Sequence, residues 1–130
     1  MDLPSNYLSD LQVYFSGHGE ELDLYAALFP TLEAAFPEAR VKVQKSQISF
    51  YGKHLFAMVS IPIRRKKGWP EHCLLISFGL GRQVADPRIA VATEPYPGRW
   101  THHVVLSHPE ELDGPLLAWL REAWDFSQAK

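Results

Sequence analysis

The chain holds a single cysteine, Cys73, in 130 residues. No intramolecular disulfide can form, and a lone thiol suits a reducing compartment. No apolar run approaches the roughly 20 residues that cross a bilayer. The opening Met1-Asp2-Leu3-Pro4-Ser5 lacks the basic and apolar regions of a signal peptide, and the closing Gln128-Ala129-Lys130 carries no lipidation motif. These absences predict a soluble cytoplasmic protein with no membrane partner. A large charge of either sign is missing as well. The formal charge of −2 excludes a strong global pull on nucleic acid, though not a local basic patch.

Cofactor and nucleophile signatures are also absent. Gly79-Leu80-Gly81 is a fragment of a phosphate loop without the remainder, and it reads as a strand end with a bulge. There is no G-x-S-x-G elbow and no close ligand pair of the kind zinc favours. His72-Cys73 and His102-His103 are adjacent pairs, which in a strand point to opposite faces. His18, His54 and His108 fall in expected loops. No cofactor and no metal are therefore expected.

The chain has the composition of a folded protein: 46% hydrophobic, 22% charged and 12% aromatic. Its length predicts one domain, able to bury about two-thirds of its unfolded surface. Ser5 is placed to cap a short helix carrying Tyr7, Leu8, Leu11 and Phe15, ended by Gly17 and Gly19. A second helix is expected from near Glu20 through Leu22, Tyr25, Leu28 and Phe29. Pro30 inside it predicts a kink or a split, with helix resuming over 31–36. From Ala39 the texture turns to strand, with candidates at 40–44, 47–51, 55–63, 73–80, 89–94 and 102–106. Short connections favour antiparallel pairing. The segments 55–63 and 73–80 are apolar throughout and should be central and covered on both faces. A last helix opens near Asp113 with Pro115 in its first turn, and Leu116, Leu117, Leu120 and Trp124 form its apolar stripe beside Trp119. This order predicts an α+β fold, a mostly antiparallel sheet of five or six strands with the helices on one face.

The stretch Lys45-Ser46-Gln47-Ile48-Ser49-Phe50-Tyr51 carries the most chemical information. As a strand it sends Ser46, Ile48 and Phe50 one way and Lys45, Gln47, Ser49 and Tyr51 the other. Arg99-Trp100-Thr101-His102-His103 reads alike, with one histidine buried and one open. A wet face bearing these residues is a hydrogen-bonding platform. Elsewhere, Arg64-Arg65-Lys66-Lys67 reads as a solvated hairpin tip, with Trp69 giving it a weak nucleic-acid reading. Cys73 should be buried and inert. Glu20, Glu21, Glu33, Glu110, Glu111 and Asp113 sit at expected helix starts or on solvated helix faces.

The sequence Lys45–Phe50, then Phe56-Ala57, Gly79-Leu80, Arg99–His103 and a closing helix resembles a small bacterial family of domains of unknown function. In that family a Lys-Ser/Thr-Gln-Ile-Ser-Phe strand precedes an Arg-x-Thr-His-His strand. The likeness runs from Leu8 to Trp124. It implies a helix, antiparallel sheet, helix order and carries no activity with it. It points to Lys45, Gln47, Ser49, Arg99, His102 and His103. Pro30 and the basic tip are not expected of the family generally.

The leading expectation is a binding module for a small anionic or polar ligand, nucleotide-like ligands included. Its candidate ligand-binding residues are Lys45, Gln47, Ser49, Tyr51, Arg99, Thr101, His102 and His103. The alternatives are a homodimer formed through the same sheet face, a hydrolase or transferase using His102 or His103 as base beside Ser49, and nucleic-acid binding through the basic tip.

Overall fold

The computed structural model describes all 130 residues. Two helices lead, α1 (Tyr7–Tyr14) and α2 (Gly19–Ala35). Six strands follow, β1 (Arg40–Val43), β2 (Ile48–Tyr51), β3 (Leu55–Ser60), β4 (Leu74–Leu80), β5 (Ile89–Tyr96) and β6 (Arg99–Leu106). A 3-10 turn (Pro109–Glu111) and a final helix, α3 (Gly114–Gln128), complete the chain. All neighbouring strands pair antiparallel in the order β1-β2-β3-β4-β6-β5. The α+β class and the mostly antiparallel sheet are as the sequence predicts.

β6 lies between β4 and β5, so the β5–β6 hairpin docks on β4 through its second strand. β5 is an edge and carries Pro95, tolerated because an edge strand need not donate every N–H to a neighbour. At the other edge, Asp2 pairs with Arg40 in an isolated parallel bridge. Asp2 N donates to Ala39 O at 2.8 Å and Val41 N to Asp2 O at 3.0 Å.

Pro30 does not split α2, which runs unbroken from Gly19 to Ala35. Pro30 and Ala26, one turn apart, are both exposed, so the carbonyl that loses its intrahelical partner faces water. The residue preceding α1 is Asn6 rather than Ser5, with no side-chain cap. Asp113 does cap α3, accepting from Leu116 N at 3.2 Å, and Arg88 grips the same carboxylate at 2.9 and 3.0 Å.

Cross-strand registry assigns the two faces. Val41, Phe50, Ala57, Phe78, His102 and Ala92 form one row. They belong to the face that receives α3, whose Trp119 stacks on Phe78 with ring centroids 6.2 Å apart. Phe36, which follows α2, and Trp124 of α3 close on Phe56 of β3. Twenty-six buried residues form one apolar cluster.

The opposite row is Lys42, Ser49, Met58, Ser77, His103 and Val91. None of these belongs to the apolar cluster or packs against it. The central strands β3 and β4 are therefore covered by a helical layer on one face only, contrary to the double cover expected. The alternation in β4 explains this: Leu74, Ile76, Phe78 and Leu80 face the helices, and the smaller set Leu75, Ser77 and Gly79 faces away.

Candidate functional site

The helix-free face is built from backbone alternation. On β6, Thr101 and His103 pair with Gly79 and Ser77 of β4, and Arg99 precedes them on the same side. Gly79 has no side chain, and the Arg99 guanidinium occupies the space: a methyl group on Gly79 would lie 2.9 Å from Arg99 Nη2 and 3.0 Å from its Cζ. The cation is thus laid flat over the sheet. Beside it, the Ser77 hydroxyl and His103 Nδ1 share a 2.6 Å hydrogen bond. Burial, and next the neighbouring His102, hold the His103 pKa below its ordinary value. The ring is therefore neutral near pH 7. In the tautomer where the hydroxyl donates to Nδ1 the ring proton sits on Nε2, and in the other Nδ1 donates to Ser77 and Nε2 is an acceptor, so Nε2 is a hydrogen-bonding group in either case.

The same face ends in an aromatic at each side. Tyr51 closes β2, with Lys42 Nζ 5.3 Å and Arg40 Cζ 5.9 Å from its ring centroid. Tyr96 closes β5, with Arg99 Cζ 6.0 Å away. Charge is sorted by layer. The helices and the 3-10 turn carry nine acidic residues and one basic residue, Arg121. The six strands carry Arg40, Lys42 and Arg99 against one acid, Glu94, and Glu94 accepts from Gly98 N at the β5–β6 turn.

Of the residues expected at a site, Ser49, Tyr51, Arg99, Thr101 and His103 share this face. Lys45 and Gln47 do not lie in a strand, because the chain turns at 44–47 with Gln44 N donating to Gln47 O at 2.8 Å. Lys45 instead lines a cleft of about 390 Å³ with Asp10, Val13 and Tyr14 of α1. Gln47 Nε2 donates to Ser49 Oγ at 2.8 Å, and Ser49 Oγ donates to Gln44 Oε1 at 2.5 Å. Ser49 is fully buried by these two amides. It also stands three strands away from His103, so no Ser49–His103 pair exists.

His102 faces the helices and is 0% exposed. Its ring stacks on Phe78 at 5.3 Å and 13°, and its Nε2 accepts from Val84 N at 3.0 Å. Its Nδ1 is buried without a partner. Burial, foremost, keeps its pKa low. It is an anchor for the 81–88 loop, out of reach of any ligand on the open face.

Arg40, Lys42, Ser77, Gly79 and Tyr96 were not singled out by the sequence reading for this face. Their signal is the small-residue alternation of β4 and the cations at alternate positions of β1.

A second polar cluster lies at the start of α2. Glu21, read from sequence as solvated, is only 4% exposed. His72 Nδ1 lies 3.0 Å from Glu21 Oε2, and His72 Nε2 lies 3.2 Å from Glu20 Oε2. The Glu21 hydrogen bond raises the His72 pKa. His18 Nδ1 approaches Glu21 Oε1 at 3.9 Å. No three His, Cys, Asp or Glu side chains are placed to share a metal ion. Cys73 is buried, and burial raises its pKa. The basic tip, residues 64–67, is exposed. Its Lys66 Nζ reaches Ala90 O at 3.5 Å, and the Arg65 guanidinium donates to Glu71 O. No helix is long and apolar enough to cross a membrane.

The class is thus a one-layer helical cover on an antiparallel sheet whose other face is open, cationic and set with hydroxyl and imidazole groups. The chain belongs to the family described as Domain of unknown function (DUF5655), which matches residues 13–127. No curated protein and no solved structure matches it.

Proposed function

We propose that this protein is a binding module whose helix-free sheet face holds an anionic or polar ligand of nucleotide-like chemistry. One observation carries the reading: the Arg99 guanidinium lies flat over Gly79, beside the Ser77–His103 pair, on a face whose strands supply three cations and almost no acid. Arg99 supplies a forked cation suited to phosphate or carboxylate. His103 Nε2, Thr101 and the Tyr51 ring supply direction and a flat surface. Of the other residues expected at the site, Lys45 and His102 lie off this face, and Gln47 acts on it only through Ser49. The single buried Cys73 suits work in a reducing cytoplasm.

Amide chemical shifts test the reading. Inorganic phosphate and mononucleotides should perturb Ser77, Gly79 and 99–103, and Arg99→Ala should abolish those shifts while leaving the melting temperature within a degree or two. Shifts confined to 64–69, or none at all, refute it.

A second reading has its own observation. Met58, Leu75, Val91 and Val105 are partly exposed on the same face, which a second copy would cover. A dimer in light scattering that dissociates with Met58→Lys favours that reading. A catalytic role for His103 is less supported, because no carboxylate orients its ring.

A further inference from the structure

We propose that the ligand of this face is a single-stranded nucleic acid several nucleotides long, laid across the strands from Tyr51 to Tyr96. The proposal rests on the reading above and gives its ligand a length and a class.

The two tyrosines lie at the same end of the sheet. β2 and β5 both finish there, where β3 and β6 begin and β4 ends. Both rings belong to the helix-free face, since Tyr51 pairs with Arg40 and Tyr96 with Arg99. Four strand spacings separate β2 from β5, about 19 Å at roughly 4.8 Å each. A stacked strand rising about 3.4 Å per nucleotide covers that span with on the order of five nucleotides. One nucleotide cannot touch both ends.

Each tyrosine has a cation within about 6 Å of its ring, Lys42 and Arg40 at one end and Arg99 at the other. A ring that stacks a base beside a cation that meets the adjoining phosphate is the repeating unit of single-strand recognition. Between the ends, Thr101 and the His103 ring are partly exposed and can meet backbone or base edges, while Ser49 and Ser77 lie buried beneath them. Small ligands prefer concave sites, and the principal clefts lie elsewhere. They lie against α1 at Lys45, around Gly17–His72, at the N-terminal Leu3–Leu8 segment and at Phe36–Trp124. The acidic helical layer repels a polyanion from the opposite side and so orients its approach.

Fluorescence anisotropy with a labelled oligothymidylate of about ten nucleotides tests this. The oligomer should bind at least tenfold more tightly than thymidine monophosphate. Tyr96→Ala should weaken it about tenfold, the loss expected for one stacked base. Tyr96 is 54% exposed, so this variant keeps its fold. Tyr51→Ala should do the same, and the paired substitution Lys66→Ala/Lys67→Ala should leave affinity within twofold. Neutralising three phosphates predicts a logarithmic salt slope near about −2.

Equal affinity for the monophosphate, through the same residues, overturns the proposal and leaves the binding-module reading standing. Equal competition by polyglutamate overturns it too, because charge alone would then account for binding. Loss of binding only in the Lys66/Lys67 variant overturns it in favour of the basic tip. No binding of oligomer or monophosphate overturns both.

Discussion

His102 and His103 are neighbours in sequence and opposites in environment. One stacks on Phe78 under the helices and holds the Val84 amide. The other lies on the uncovered face, bonded to Ser77 and on the same side of β6 as Thr101 and Arg99. One residue of register separates a structural imidazole from one available to a ligand. The two faces differ: aromatic and aliphatic against the helices, and on the other side small, polar and cationic residues set among the partly exposed Met58, Leu75, Val91 and Val105. The difference teaches that this sheet carries its core on one face and leaves the other without a helical cover.

The largest effect should come from confusing the two faces. His102→Ala removes a fully buried ring and strips the Val84 amide of its acceptor, a loss of about 3 kcal/mol. His103→Ala should cost about 1 kcal/mol, since Ser77 loses one hydrogen bond. Urea denaturation measures both, and equal losses would dissolve the distinction. Ligand affinity should show the reverse order.

Next in size is the cation. Gly79→Ala places a methyl group against the Arg99 guanidinium without changing any charge. The flexible side chain swings away, so stability should hold to within about 1 kcal/mol. Phosphate-induced shifts at 99–103 should fall about tenfold in affinity, the worth of one hydrogen-bonded charge. A Gly79→Ala protein that binds as the parent does would mean that Arg99's flat placement is irrelevant.

The smallest effects are those of pH, and they separate the histidines by sign. His102 and His103 both have lowered pKa values, burial being the first cause in each. Their contribution to stability is present above the ordinary histidine value of about 6.5 and is lost as pH falls through the lower folded values. His72 runs the other way. Its pKa is raised by Glu21, so its contribution is complete below about 6.5 and lost as pH rises through the higher folded value. Thermal melts between about pH 5 and pH 8 should show the acid slope flattened by His103→Gln and the alkaline slope flattened by His72→Gln. The same flattening by either substitution would mean that the sheet histidine His103 and the loop histidine His72 are not independent.

Much of the fold could be read from patterns with a physical cause. Asp113 before Gly114-Pro115 marks a helix start because a carboxylate can take the free N–H of Leu116. The short spacers between β1 and β2, β2 and β3, and β5 and β6 permit only antiparallel pairing. The site was less legible, for three reasons. A three-residue difference in where β2 begins moved Lys45 and Gln47 out of the strand, and turn geometry at 44–47 is decided by contacts with α1 that no local pattern encodes. The face of each histidine depended on registry with β4, set by the packing of Phe78 and Ile76. Glu21 is buried where a loop 51 residues away in sequence brings His72 against it, a contact with no trace in composition.

The ends of the sheet have their own consequence. Along β1, Asp2 already occupies the outer hydrogen-bonding groups of Ala39 and Val41. Along β5, Pro95 removes a donor and Pro97 follows in the turn. Neither rim offers a clean row of donors and acceptors to a stranger's strand. Chains of this protein are therefore poorly suited to growing edge to edge into a continuous ribbon. Association of copies through the sheet would then come broadside, where on the proposed reading it would compete with the ligand for that surface. Crowding and ligand would act on one surface, and occupancy would keep the molecules apart.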